Sequence, residues 1–539
     1  MIEERWKLQC PDIIGQKWKL LRELQQHLRA EGCKSLSDLG ISVPDGFEDG
    51  NSEIQRIREK QLMDNRHNDI ATVTAAKAIF TDEQHQIFDT VIKACREQQT
   101  ALFDIRGRAG TGKTLLLNSI LAQARLDGSL TAPSASTGLA AINQPFGLTY
   151  HKTFDIPVLD PREDTVLASN LNTGKRANIM ANTPVCSIDE ISSLHRSAFE
   201  AGARHPTFLE PEDIEAFPGR VVVLAGDTRQ LPPVVVNGGE SETCAASVLS
   251  SSFYLENAIV FNLSKTMRNK DDPVFSKLVD DIGDGSSPVD SQGFITITGV
   301  RCDTSLSNAI DFVFPADTLL DATECATRAI ISLHNTSVDR INNLVLERVP
   351  GDVFTLVGST SLDHEHLEGN TDDDFAMSDY LSDYSHNGVP SHSIRVKKGI
   401  VVMLTRNLSI DDRLTNGTKV VILDVSSHVL HVKTLDENGI EHFIPRITFS
   451  FVTWHGVAVK RLQFPIRLCF CVTSHRSQGL TLRRTCLDLS LDSFAHGQLY
   501  VGLSRVRRSD DMIILTTQDR IDKNGCARVQ NVVYESLLP

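Results

Sequence analysis

Eleven cysteines are spread over 539 residues, and no two of them form C-x-x-C. They read as reduced core residues, with neither disulfides nor a zinc site. Cys469 and Cys471 sit two apart in an apolar run and are expected to share one face of a strand. No uninterrupted apolar run approaches the ~20 residues that a spanning helix needs, so no membrane partner is expected. The opening Met1-Ile2-Glu3-Glu4-Arg5-Trp6-Lys7 is neither a signal peptide nor an Arg-rich transit segment, and an intracellular location is the expectation. Positive charge is short as well: 54 Lys and Arg against 69 Asp and Glu leave a net charge of −15. A field of that sign repels phosphate, so a nucleic-acid partner would need a locally basic groove. The remainder is ordinary for a globular chain, 41% hydrophobic and 23% charged. At roughly 100–200 residues per domain the length suits three to five domains.

Against that background one stretch stands out. Gly107-Arg108-Ala109-Gly110-Thr111-Gly112-Lys113-Thr114 fits the phosphate-binding pattern G-x-x-x-x-G-K-[ST] at every position. The apolar run from Thr100 to Ile105 before it reads as a buried strand. After it, Leu115, Leu116, Leu117, Ile120, Leu121 and Ala124 recur at helical spacing. A loop between strand and helix can wrap backbone N–H groups around a polyphosphate, and the helix N-terminus adds partial positive charge. The three glycines permit close backbone approach. Lys113 would reach the β/γ-phosphates, and the Thr114 hydroxyl would bind Mg²⁺.

Three further stretches bear on the same site. Thr81-Asp82-Glu83-Gln84 opens a helix whose face carries Ile87, Val91 and Ile92. Thr81 and Gln84 form a capping-box pattern, so Gln84 either caps its helix or reads an adenine edge. Val185-Cys186-Ser187-Ile188 reads as a strand ending in Asp189-Glu190. An acidic pair there suits Asp189 holding Mg²⁺ and Glu190 polarising the attacking water. A third strand, Val221 to Ala225, runs into Gly226-Asp227-Thr228-Arg229-Gln230-Leu231-Pro232-Pro233-Val234. Gln230, beyond a strand's carboxyl end, is placed to sense a γ-phosphate.

Elsewhere the chain is less explicit. Residues 1–75 are polar and helix-prone, with Trp18, Leu20, Leu21, Leu24 and Leu28 as an amphipathic stripe. A second α/β pattern starts near Arg328, where Ala329 to Leu333 reads as a strand and Val338, Ile341 and Val345 as a helix face. Residues 359–395 read as an acidic loop or small insertion. From Val396 to Phe451 short alternating strands with turns at Asn416-Gly417 and Asn438-Gly439 suggest a small β-barrel, and Arg467 to Val472 returns as a buried strand. His364-Glu365-His366 with Tyr380-x-x-x-Tyr384 is similar in spacing to the metal and tyrosine pairs of rolling-circle nucleases. That site needs an apolar residue between its histidines, and Glu365 in an acidic run does not supply one.

Taken together, these stretches resemble a superfamily 1 DNA helicase of the Pif/RecD-like branch, most like the helicase portion of Helitron-type transposon proteins. The likeness runs from about Phe80 to Arg507. It adds Ser136-Thr137-Gly138-Leu139-Ala140-Ala141, Thr149-Tyr150-His151, Met267-Arg268 and Arg461-Leu462-Gln463-Phe464-Pro465 to those above. It also adds Ser477-Gln478-Gly479-Leu480-Thr481 and the run from His496 to Arg505. The resemblance implies an α/β fold of two RecA-like P-loop domains, with a β-barrel insertion in the second and a helical N-terminal segment. The boundaries would be 1–75, 76–262 (with a small insertion at about 143–180), 263–395, 396–460 and 461–539.

The same resemblance implies ATP and Mg²⁺ in the cleft, with Gln84, Gly107, Ala109, Gly110, Thr111, Gly112, Lys113, Thr114 and Gly479 around the nucleotide. Thr114 and Asp189 would hold the metal. Lys113, Glu190, Gln230 and the arginine fingers Arg268 and Arg505 would be catalytic. Thr137, Gly138, Thr149 and His151, then Thr473, Ser474, His475 and Ser477, would contact single-stranded DNA. Small hydroxyls and backbone amides suit sequence-neutral phosphate contacts. A monomer moving 5′ to 3′ on single-stranded, tailed or forked DNA is implied, with work in repair and recombination in a nucleus or organelle. Lys152 and Arg476 depart from the usual Ser and Lys, changes that keep or add positive charge. A translocase that does not unwind, or a transposon-derived binding remnant, are the competing readings.

Overall fold

The computed structural model describes residues 52–157, 179–204, 217, 219–266, 271–362, 384, 386, 388–409, 412–436, 439–453 and 457–538. The chain divides into two compact units, residues 1–64 and 65–539. In the first, Ser52–Arg58 is an α-helix that runs on as a π-helical stretch, Glu59–Asp64. The second unit holds everything discussed below.

Six parallel strands form its first sheet: β1 (Ala101–Gly107), β2 (Thr131–Ala135), β3 (Leu148–Thr149), β4 (Val185–Asp189), β5 (Val221–Gly226) and β6 (Ala258–Leu263), in the order β3-β2-β4-β5-β1-β6. Strand alternation sorts the apolar residues onto two faces. Phe103, Ile105, Val221 and Val223 face one core with Ile87, Phe88, Val91, Leu116, Leu117, Ile120 and Leu121. Leu102, Cys186, Ile188, Val222 and Leu224 face the other with Tyr150, Phe154 and Phe199. Both faces are covered, which is why these strands read as continuous apolar runs rather than alternating ones.

The helix Arg66–Lys77 starts in the stretch assigned to the N-terminal segment and crosses its expected end at residue 75, yet it packs on the helix Lys113–Leu126. Its Asp69 forms a buried bidentate pair with Arg125, at 2.6 and 2.8 Å. Thr131 Oγ1 takes a third bond at 3.1 Å, and the Phe146 ring lies 5.4 Å from the guanidinium carbon.

A second parallel sheet has the order Cys471–Thr473, Arg328–Ser332, Arg484–Asp488, Met512–Leu515, Arg301–Asp303. Between its first strands the chain departs into antiparallel structure. Glu441–Pro445, Val429–Thr434, Lys419–Val425, Val401–Leu404 and Ile466–Leu468 form one sheet, and Ser359–Leu362, Ala458–Gln463 and Ile447–Val452 another. Two sequence expectations change here. The run from Arg467 to Val472 is not one strand: Ile466–Leu468 pairs antiparallel with Val401–Leu404, and Cys471–Thr473 pairs parallel with Arg328–Ser332. Cys469 lies between the two strands, so it and Cys471 do not share one strand face, although both are buried. The apolar run is continuous because both ends are core, which hides the switch of sheet. Residues 359–395 also contain more than a loop, since Ser359–Leu362 and Ser393–Val396 are strands.

Arg461 and Gln463 explain their motif structurally. Arg461 donates to the carbonyls of Pro390 and Tyr384, and Gln463 to those of Leu356, Ser391 and His392. Tyr384 stacks on Phe451, with ring centroids 6.0 Å apart; His364, His366 and Tyr380 lie outside the described residues. Among the described residues no helix is long and apolar enough to cross a membrane.

Asp69→Ala would leave the Arg125 guanidinium buried and unpaired by charge. It should destabilise the protein by about 3–5 kcal/mol, read as a lower urea midpoint. An unchanged midpoint would show that the pair holds nothing together.

Candidate active site

The loop from Gly107 to Gly112 is held by one of its own side chains, Thr111, and by side chains from outside it. Gly110 and Gly112 take φ of 83° and 84°, the left-handed region that favours glycine. At Gly112 a Cβ would also come within 2.7 Å of Gln84 Nε2. Thr111 Oγ1 donates to the Arg108 carbonyl at 3.0 Å. Lys113 Nζ lies back along the loop, donating to the carbonyls of Gly107 (2.7 Å) and Arg108 (3.1 Å). Gln84 does two jobs at once. Its Oε1 accepts from Thr81 N–H at 2.9 Å, closing the capping box, while Nε2 donates to the Thr111 carbonyl at 3.0 Å.

The acidic pair follows directly from β4. Thr114 Oγ1 donates to Asp189 Oδ2 at 3.1 Å, and Glu190 N–H to Asp189 Oδ1 at 2.9 Å. Burial, then the adjacent Glu190 charge, pushes Asp189 up to about 7, while Lys113 and the Thr114 bond pull it down. Glu190 is held at φ 54°, ψ 46°, a left-handed conformation rare outside glycine. Its Oε2 is buried with no hydrogen-bond partner, and so is Oε1 of Gln230. A hydroxyl and a carboxylate in contact suit a hard, oxygen-preferring cation.

Across the cleft the structure brings in residues that the sequence did not single out. Tyr500 Oη accepts from Ala109 N–H at 3.0 Å and donates to Asp227 Oδ2 at 2.6 Å. Arg108 pairs with Asp280 and, at 2.9 Å, with Asp284; Arg229 also pairs with Asp284. His496 Nε2 meets the Thr228 carbonyl at 2.9 Å, and Leu231 is buried in the second domain's core. Tyr500, Asp227 and Arg229 stood inside recognised motifs, but nothing local marked their bonds. Asp280 and Asp284 belong to or flank the helix Pro273–Gly283, which carried no signal. Arg505 is buried and turned into its own domain, with Nη1 on the Leu480 (3.1 Å) and Ser477 (3.3 Å) carbonyls and Nε on Val501 (2.8 Å). Arg268 lies outside the described residues.

Comparison with known proteins fits this arrangement. Residues 79–293 match the family model for PIF1-like helicase, and residues 379–425 that for the 2B domain of DNA helicase Pif1. Over these residues the chain is similar to PIF1-like helicases.

Similar proteins include ATP-dependent DNA helicase PIF7 of Trypanosoma brucei brucei, 26% identical over 485 residues, covering 80% of this chain and 45% of that protein. Human ATP-dependent DNA helicase PIF1 is 27% identical over 454 residues, covering 82% of this chain and 62% of that protein. The chain thus spans about half to two-thirds of the length of these relatives. The crystal structure of Bacteroides Pif1 bound to ssDNA superposes with a TM-score of 0.58 at 20% identity, over 86% of this chain and 94% of that one. At that identity the likeness speaks for the fold: the two parallel sheets are those of RecA-like domains.

The two parallel sheets place the remaining expected residues near strand ends. Thr137 caps the helix Gly138–Ile142, accepting from Ala140 N–H at 3.2 Å. Thr149 ends β3, which pairs with β2, and His151 follows. Burial pushes His151 below its usual value. In the second domain Thr473 leads into the helix Ser474–Ser477. His475 is exposed, but Ser474 and Ser477 are buried, and Ser477 Oγ donates to the Ser474 carbonyl at 2.8 Å. Near them the two domains approach each other: a Cβ on Gly138 would lie 3.0 Å from the Asn416 carbonyl, and one on Gly479 would lie 3.8 Å from Leu139. Burial and neighbouring Arg467 lower Arg476 to about 10, which leaves it charged at neutral pH.

An acid whose value rises on folding binds its proton more tightly when folded. Asp189 therefore makes stability fall as pH climbs from about 4, its unfolded value, through about 7, and the cost stays above that. Asp189→Asn removes the charge and keeps the shape. Without divalent cation or nucleotide it should melt higher than wild type at about pH 8, the gap closing toward about pH 4. A gap that does not change with pH would rule out the buried charge as its cause.

Proposed function

We propose that this chain is an ATP-dependent DNA helicase that moves 5′ to 3′ along single-stranded DNA and unwinds duplex, closing two RecA-like domains at each ATP. The observation that carries the reading is the phosphate loop joined to Asp189 through Thr114 on one side and to the second domain through Tyr500 on the other. The family match of residues 79–293 supports it.

In this reading the backbone N–H groups of Gly107–Thr114 cradle the phosphates, with Gln84 beside the adenine and Gly479 bordering the cleft. Lys113 leaves the Gly107 and Arg108 carbonyls for the β/γ-phosphates. Thr114 and Asp189 hold Mg²⁺, which neutralises phosphate charge. Glu190 takes a proton from the attacking water with its unpartnered oxygen, and Gln230 orients the γ-phosphate end. Arg505, rotating off its own domain's carbonyls, and Arg268 meet the γ-phosphate as the cleft closes. Single-stranded DNA crosses Thr137, Gly138, Thr149 and His151, then Thr473, Ser474, His475 and Ser477. Those contacts are mostly neutral and fit sequence-independent binding. The antiparallel strands between the second domain's parallel strands are taken as its small β-barrel insertion, and residues 1–75 as a helical accessory segment. A monomer in a nucleus or organelle, acting in repair and recombination, completes the proposal. The Helitron-type kinship rests on the motifs alone.

Lys113→Ala should abolish ATP turnover in a folded protein. Glu190→Gln should retain ATP binding and slow hydrolysis by roughly 10²-fold or more, the scale of general-base help. Strand displacement on a 5′-tailed duplex, with and without ATP, tests the whole. ATP turnover stimulated by oligo-dT but without displacement would leave a translocase, and no stimulation by any single strand would remove the reading.

A further inference from the structure

Three elements of the proposed active site meet at one hydroxyl. Tyr500 Oη is bonded to Ala109 N–H in the phosphate loop and to the Asp227 carboxylate. Asp227 in turn shapes the turn that presents Gln230: its Oδ1 accepts from Arg229 N–H at 3.2 Å, and its carbonyl from Gln230 N–H at 3.0 Å. Tyr500 itself lies in the helix Gln498–Leu503, which leads to Arg505. Arg505 Nε is bonded back to the Val501 carbonyl of that helix, so the two move together.

The ring and the hydroxyl have separate supports. The ring is 1% exposed and lies over Gly283, where a Cβ would come within 2.7 Å of it. Packing within the second domain therefore fixes the ring, and the hydroxyl is presented to two elements of the first. Gly283 is followed by Asp284, which pairs with both Arg108 and Arg229, so charged contacts flank the hydroxyl on each first-domain element.

We propose that Tyr500 is a positioning residue for ATP hydrolysis. Its hydroxyl keeps the phosphate loop and the Gln230 turn aligned with the helix that carries Arg505, so that domain closure on DNA is transmitted to the phosphates. The proposal rests on the ATP-hydrolysing reading above. A tyrosine present only to fill space would be replaced by phenylalanine without consequence, because the ring does the filling.

Tyr500→Phe in the full chain separates the two. Nucleotide affinity, measured with a fluorescent ADP analogue, should stay within about threefold of wild type, and KM for ATP likewise. Oligo-dT-stimulated kcat should fall about tenfold, the scale of one buried hydrogen bond. The ratio of stimulated to unstimulated turnover should fall with it. Asp227→Asn, which keeps the volume, should lower the same ratio, and the double variant should be no worse than the poorer single, the non-additivity of groups in one network. Should Tyr500→Phe melt early, Asp227→Asn decides: a lowered ratio supports the proposal and an unchanged ratio overturns it. Wild-type stimulation retained within about twofold by Tyr500→Phe overturns it too, as does a loss of kcat matched by an equal loss of ADP affinity, which would mean a collapsed loop. If wild type hydrolyses no ATP, the helicase reading itself falls and Tyr500 with it.

Discussion

A loop that aims most of its backbone N–H groups at one point has few left to bond to itself, so side chains, most of them from outside it, must hold it. Gln84, Thr111 and Lys113 do this from within the first domain by taking the loop's carbonyls at Thr111, Gly107 and Arg108. Tyr500 does it from the second domain by taking an N–H. Carbonyls are engaged from within the first domain; of the amides, Ala109 N–H bonds Tyr500 and Thr111 N–H bonds the Arg108 carbonyl at 3.3 Å. The rest of the site follows. β1 and the helix Lys113–Leu126 set the loop's ends, β4 brings Asp189 to Thr114, and β5 brings Asp227 to Tyr500. All are carboxyl ends of parallel strands, where the fold leaves a crevice.

That geometry shows why some features were legible in the sequence and others were not. The phosphate loop, the capping box and the strand before Asp189 are local patterns of a few residues. The order of residues alone carries them. Gln84 is instructive: cap and adenine contact were posed as alternatives, and the structure shows the cap at one end of the amide and a bond to the Thr111 carbonyl, which nothing in the order of residues announced, at the other. Tyr500 and Asp227 are 273 residues apart, and Arg108 and Asp284 are 176 apart. Such pairs have no local signature. Nor had the break at Cys469–Phe470, because periodicity cannot separate two buried strands that belong to different sheets. Arg461 and Gln463 were recognisable as a motif, but only the bonds to the backbone at residues 356 and 384–392 show their use.

Charge adds a further constraint. The chain carries −15 overall, and Asp227, Asp280 and Asp284 sit close to the loop proposed to bind phosphates. Each is matched: Asp280 and Asp284 by Arg108, Asp284 by Arg229, and Asp227 by the Tyr500 hydroxyl and Arg229. The arginines thus stand where an anion would need them, held by carboxylates they could exchange for it. The side chains of the pairs with Asp280 and Asp284 keep only 12–31% of their surface exposed, so an arginine that leaves its carboxylate must gain a comparable partner.

The link between domains at this site is therefore built of contacts that can be remade. Leu231, fully buried in the second domain's core, and Ala109, packed against that core, supply apolar contact. Around them stand a tyrosine hydroxyl, a histidine on a carbonyl and a few arginine–aspartate pairs, each directional and short in range. A neutral hydrogen bond contributes about 1 kcal/mol net, whereas charge-assisted bonds to phosphate are roughly twice as strong. Phosphates that take over even two of these donors can outweigh what they break. An interface joined by continuous apolar packing could not be reset so cheaply, because separating it exposes area at about 25 cal/mol per Å². A seam of this composition would suit the opening and closing proposed for each nucleotide.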